Sequence, residues 1–170
     1  MPERAMPERA TNVEALFPDT GHDHGQCVEH AMAEAHALCS ARAARFTPLR
    51  ARVLELIWQS HKPLGAYAIL DMLSNEGRAP APPTVYRALE FLLKHGLVHR
   101  IASLNAYAGC RRPGHSGSGQ FLICTRCGNV AELSNAKVTA AIEAAAAAET
   151  FEAELHTVEI TGVCLHCRAT

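Results

Sequence analysis

Two short cysteine pairs constrain this chain more than any other feature: Cys124-Thr125-Arg126-Cys127 and Cys164-Leu165-His166-Cys167, about 40 residues apart. A Cys-x-x-Cys turn points two thiolates at one centre, and two such turns supply the four soft ligands of a closed, tetrahedral zinc site. The alternatives are a redox dithiol, which wants a thioredoxin-like βαβ setting that the flanking residues lack, or two disulfides. No apolar run is long enough for a signal peptide or a membrane span, so the expected compartment is the cytoplasm, where thiols stay reduced. The odd total of seven cysteines agrees. Metal held in this way is folding energy for the segment that carries it.

The net charge of −1 conceals a segregation along the chain. Residues 1–40 hold two Arg against seven acidic residues, residues 41–100 hold nine Lys or Arg against four, and residues 101–170 hold five against six. A basic middle segment between acidic or neutral ones suits a domain that meets phosphate, because long-range attraction follows local charge. Solvated charged faces are also common, so the distribution alone selects no partner.

Apolar spacing divides the basic half into helices. Residues 1–25 open with the tandem repeat MPERAMPERA, contain Pro18, Asp19 and Gly21, and read as a mobile tail. From Cys27 to Phe46, Met32, Ala35 and Leu38 share one helix face. Thr47-Pro48 is an N-cap and first-turn pair for a second helix running to near Ser60, with Leu49, Val53, Leu54 and Ile57 as its stripe. A third helix spans Ala66 to Glu76 and stops at Gly77. Pro82, Pro83 and Thr84 open a fourth, in which Val85, Leu89, Leu92 and Leu93 face inward, Arg87 points away and Gly96 ends the helix. Leu97–Val98 and Ala106–Ala108 read as a hairpin. This is the order of a winged helix-turn-helix, whose last helix enters the major groove by its N-terminal residues. An all-helical unit with an incidental hairpin fits the same pattern.

From Gln120 the character changes. Phe121–Cys124 and Val130–Leu133 read as strands around the first cysteine turn, Asn135–Thr150 as an Ala-rich helix, and Glu154–Val163 as a returning strand. The expected fold class is therefore α+β: a tail over 1–25, an N-terminal winged helix-turn-helix domain over 26–108, a hinge over 109–119, and a small C-terminal α/β domain with structural zinc over 120–170. If the hinge folds back, His99, Cys110, His115 and Glu132 can gather into a second, nitrogen-rich site with one thiolate and one carboxylate. Each also has a plainer reading, as a surface or core histidine, a buried small thiol, or a solvated strand residue.

Taken together, Thr47-Pro48-Leu49-Arg50, Pro82-Pro83-Thr84-Val85-Tyr86-Arg87-Ala88-Leu89, the two cysteine pairs and Gly162-Val163-Cys164 resemble the ferric uptake regulator family of metal-dependent repressors. The stretch from Gly65 to Glu132 is most similar to its zinc uptake regulator branch, and the likeness covers about residues 27–168. The resemblance implies a homodimer that binds inverted-repeat double-stranded DNA when loaded with Zn2+ at two sites per chain, and so represses zinc uptake genes. It makes Cys124, Cys127, Cys164 and Cys167 the structural site, and His99, Cys110, His115 and Glu132 the sensory site. Tyr67 and Arg87 match positions that reach bases, with Thr84 and Tyr86 near the phosphates. The C-terminal domain becomes the dimerisation domain.

Other functions leave other traces. An iron, nickel or peroxide sensor of the same family is the nearest alternative, and the thiolate of Cys110 among nitrogen and oxygen ligands favours zinc. A zinc hydrolase needs a metal position open to water and a nearby base, whereas four protein ligands at each site leave none. A zinc-buffering protein would use His22, His24 and Cys27 of the tail region.

Overall fold

The computed structural model describes residues 17, 24–60, 62–77, 80–114 and 119–169. Almost all of the expected tail lies outside them; the first helix, α1 (His24–Ala41), begins at its C-terminal end. It stops short of the expected Phe46, because Ala43 turns the chain through left-handed backbone at φ 49, yet Phe46 still reaches the core. In α2 (Pro48–Trp58) the Thr47 hydroxyl accepts the Arg50 N–H at 3.4 Å, the N-cap that the sequence announces. α3 (Ala66–Asn75) ends at Gly77, whose φ of +75 is the left-handed turn that glycine makes at no steric cost. α4 (Pro82–Lys94) follows its two prolines.

After α4 the chain forms a hairpin of β1 (Val98–Ile101) and β2 (Ala106–Gly109), joined by a 3-10 turn at Ala102–Leu104 and left-handed Asn105. β1 runs further than the expected Leu97–Val98, since Ile101 pairs with Ala106 and His99 with Ala108. Leu64 bridges the other side of β2, its N–H and carbonyl each bonded to Tyr107 at 2.9 Å. Pairing across the sheet, which local propensity does not record, decides where the strand ends. Side chains from all four helices and the hairpin share one core around Leu54, Ile57, Ile69, Leu73, Leu89 and Leu92. Each such leucine contributes roughly 1.5–3 kcal/mol by its burial.

The C-terminal part is a three-stranded sheet ordered β4-β3-β5, from β3 (Gly119–Cys124), β4 (Val130–Leu133) and β5 (Thr157–Gly162). β3 and β4 are antiparallel; β5 returns parallel to β3 after the crossover helix α5 (Ala136–Ala148). Asn135, expected as the first helical residue, is the N-cap, and accepts the Lys137 N–H at 3.0 Å. The Gln120 amide reaches the Asn135 carbonyl and the Thr139 hydroxyl, each at 3.0 Å, fixing α5 to the sheet. The last strand is shorter than Glu154–Val163, and a one-turn helix, α6 (Leu165–Arg168), closes the described chain. Hairpin and sheet meet through a second, small apolar cluster of Ile101, Phe121 and Ile123.

Candidate metal centres and nucleic-acid interface

The four knuckle sulfurs converge. A turn from β3 to β4 carries Cys124 and Cys127, with Gly128 at φ +75 closing it, while beyond the end of β5 Cys164 is the N-cap of α6 and Cys167 lies within it. The parallel pairing of Cys124 with Gly162 brings the two knuckles side by side, reinforced by the Thr125 N–H to the Gly162 carbonyl at 2.8 Å. Their Sγ atoms all lie within 4.8 Å of one another, and Cys127 and Cys164 stand 3.9 Å apart. Sulfurs each about 2.3 Å from one tetrahedral ion are separated by about 3.8 Å, so the spacing fits zinc. Backbone N–H groups of Cys127 and Cys164 aimed at Cys124 hold its thiol down to about 5. Cys167, hydrogen-bonded to Cys164 and partly desolvated, is pushed up to about 12. Four thiolates this close repel one another, and a bound cation removes that opposition.

A second convergence lies where hairpin meets sheet. His99 on β1, Cys110 just after β2 and Glu132 on β4 bring one donor atom each to within 4.8 Å of the others. His99 Nε2 and Glu132 Oε1 are 3.4 Å apart, and His99 meets the Phe121 ring edge-on, the centroids 5.0 Å apart. His99 and Cys110 are buried, and Glu132 is half-buried. Burial first, and the Glu132 charge second, push the Cys110 thiol up to about 12. One imidazole, one thiol and one carboxylate are three of the four ligands of a tetrahedral zinc site. The fourth expected residue, His115, lies outside the described residues.

Residues that sequence reasoning passed over hold these groups in place. The Cys110 N–H donates to the Leu97 carbonyl at 3.0 Å, and Arg42, just after α1, donates to the carbonyls of Gly114 at 3.2 Å and His95 at 3.3 Å, so the loop after Cys110 is tied to the helical core. A Cβ at Gly109 would lie 2.4 Å from the Trp58 indole, which therefore lies flat against the strand next to Cys110. A glycine opposite a tryptophan carries no sequence signature, because only tertiary packing brings them together.

The residues expected to meet DNA lie on a separate, exposed surface. In α4, Val85, Ala88, Leu89 and Leu92 are buried, which leaves Thr84, Tyr86 and Arg87 on the exposed side of its first turns. Tyr67, at the start of α3, is 73% exposed, unusual for a large aromatic side chain. Among the described residues no helix is long and apolar enough to cross a membrane.

The ferric uptake regulator family model matches residues 41–161. The zinc uptake regulation protein of Escherichia coli (strain K12) is 37% identical over 139 residues, 80% of this chain and 80% of its own length. A solved zinc uptake regulator bound to zinc and DNA superposes with a TM-score of 0.78 at 35% identity, over 84% of this chain and 95% of that one. The holo form of XcZur superposes at 0.77, with 42% identity over 82% of this chain and 97% of that one. Its apo form, at 41% identity over 84% and 99%, reaches only 0.50. Identity and coverage are nearly equal in the two forms, so the difference is one of conformation.

Proposed function

Since the chain belongs to the ferric uptake regulator family, within its zinc uptake regulator branch, we propose that it is a zinc-responsive, DNA-binding repressor of zinc uptake genes that acts as a homodimer in the cytoplasm. Residues 26–108 form the DNA-binding domain, 109–119 the hinge and 120–170 the dimerisation domain. The observation that carries this reading is the cluster of His99, Cys110 and Glu132, whose members come from both sides of the hairpin–sheet boundary. The likeness to holo rather than apo XcZur supports it, because the chain has the posture of a loaded regulator.

We assign Cys124, Cys127, Cys164 and Cys167 to the structural zinc and His99, Cys110, His115 and Glu132 to the sensory one, two ions per chain. Zinc, when bound, supplies the positive charge that lets thiolate and carboxylate share a buried site, and a tetrahedral template for their directions. His99 and Cys110 belong to the body that carries α4, and Glu132 to the sheet. Holding the three together therefore selects one angle between recognition helix and dimerisation domain. In a dimer, only one such angle sets the two α4 helices at the spacing of successive major grooves. Zinc and DNA then favour the same conformer, and each strengthens the other's binding by the same factor. A switch from mostly open to mostly closed needs about 5.5 kcal/mol of differential binding.

On the DNA side, Arg87 and Tyr67 are positioned for base edges, and Thr84 and Tyr86 for the phosphates of an inverted-repeat operator. Exposed Ile160, Val163 and Leu165 at the β5 edge and around α6 offer an apolar face for the second copy. Cys110 favours zinc over iron at the sensory site.

The reading is tested by Cys110→Ser. Zinc-dependent operator binding should disappear while the protein stays folded and keeps one zinc per chain; unchanged affinity for DNA would contradict the assignment.

A further inference from the structure

Phe121 pairs with Glu132 on one side and Glu159 on the other, so Glu132, Phe121 and Glu159 form one row across the C-terminal sheet on the same face. That row lies along the hairpin strand β1 and its turn. Glu132 faces His99 at 3.4 Å, the Phe121 ring meets His99 and shares a core with Ile101, and Glu159 takes the turn that follows. Its Oε1 accepts the Ala102 N–H at 2.6 Å and its Oε2 the Ser103 N–H at 3.1 Å. Burial raises the Glu159 pKa, but hydrogen bonds from the Ser103 side chain and the two backbone groups outweigh it, and the net shift is downward. The carboxylate is therefore held as the anion that both donors need.

We propose that Glu159 is a positioning residue for DNA binding, a metal-independent second tether that fixes the rotation of the hairpin on the dimerisation sheet. The inference rests on the zinc-regulator reading above. Strands are about 4.8 Å apart, so the ends of the row are separated by about 10 Å. The apolar packing of Ile101 on Phe121 and Ile123 holds the hairpin close, but it is non-directional and sets its rotation about the His99 contact only loosely. A second tether, that far along the row, fixes the rotation. The hairpin shares its core with α4, and the Leu97 N–H bonds to the Leu92 carbonyl at 2.9 Å, so an angle imposed on the hairpin is imposed on the recognition helix.

Two variants remove the tether from opposite sides. Glu159→Gln keeps the shape but loses the charge and one acceptor. Ala102→Pro removes a donor: Ile101 is already extended, at φ −92 and ψ 102, as a residue before proline must be, and the first position of a helical turn accepts proline. The probe is a duplex selected by the zinc-loaded wild-type protein from a random-sequence pool. Each variant should bind it about tenfold more weakly, the scale of a charged hydrogen bond, while it stays folded and keeps its full zinc content at saturating metal. The losses should not multiply fully in the double variant, because both variants weaken the shared bond between Ala102 and Glu159. Wild-type affinity in both variants, or losses that multiply fully in the double variant, would overturn the proposal. Failure of the underlying reading is seen separately, in a wild-type protein that binds the duplex equally with and without zinc.

Discussion

His99 and Glu132 face each other at 3.4 Å across the boundary between the hairpin and the three-stranded sheet. The sequence separates them by 33 positions, and the molecule brings them together by two independent pairings: His99 with Ala108 in the hairpin, and Glu132 with Phe121 in the sheet. The contact therefore exists in only one relation of the two bodies. With Cys110 beside it, the pair forms a cluster of three groups that could hold a metal ion, and the cluster assembles only when hairpin and sheet meet in this way.

The same cluster sets a pH dependence. Burial and the Glu132 charge raise the Cys110 thiol from 9.0 to about 12, so without metal it is protonated throughout the neutral range. Loading zinc expels that proton, and affinity therefore rises with pH. Competition against a chelator of known pH dependence should show sensory-site affinity about tenfold higher at about pH 8 than at about pH 7, the slope of one released proton. An affinity that does not change over this interval would show that Cys110 is not a ligand.

Gly109 is required by Trp58. A Cβ there would stand 2.4 Å from the indole Cε2 and 2.6 Å from its Nε1, so the rigid ring must move. Gly109→Ala should cost about 1–3 kcal/mol as overpacking, read as a lower thermal midpoint. Trp58 is the sole tryptophan, so its emission should shift in the variant. Wild-type stability and emission would show that the close approach is relieved without cost.

Arg87 projects from the exposed side of α4 between the buried Val85 and Ala88. Arg87→Ala should relax preference at one guanine of the operator, at about 1–3 kcal/mol, in binding measured over a panel of single-base substitutions. A loss equal across all sequences would make Arg87 a phosphate contact instead.

Much of this molecule was legible in the residues because local chemistry specified it. Thr47-Pro48, Gly77 and Gly96 mark helix ends by caps and left-handed turns that depend on near neighbours alone. The cysteine knuckles are equally local. The extension of β1 to Ile101 was not legible, because its pairing with Ala106 decides it. Phe46 belongs to the core without belonging to α1, since Ala43 breaks the helix ahead of it. Glu159 reads in the sequence as one more solvated strand residue. Only the parallel register of β5 on β3 aligns it with Phe121 and turns it toward the hairpin. His115, which the family resemblance makes the fourth sensory ligand, lies outside the described residues.

The central claim is that occupancy of the His99, Cys110 and Glu132 cluster selects the posture that reads DNA. Its most direct measure is the affinity of the full-length protein for its selected duplex, determined with one zinc per chain at the cysteine knuckles and again with the sensory site filled. The account predicts an increase on the order of a hundredfold, the upper part of the usual range of coupling between two ligands. Equal affinity in the two states, with the protein folded in both, would contradict it.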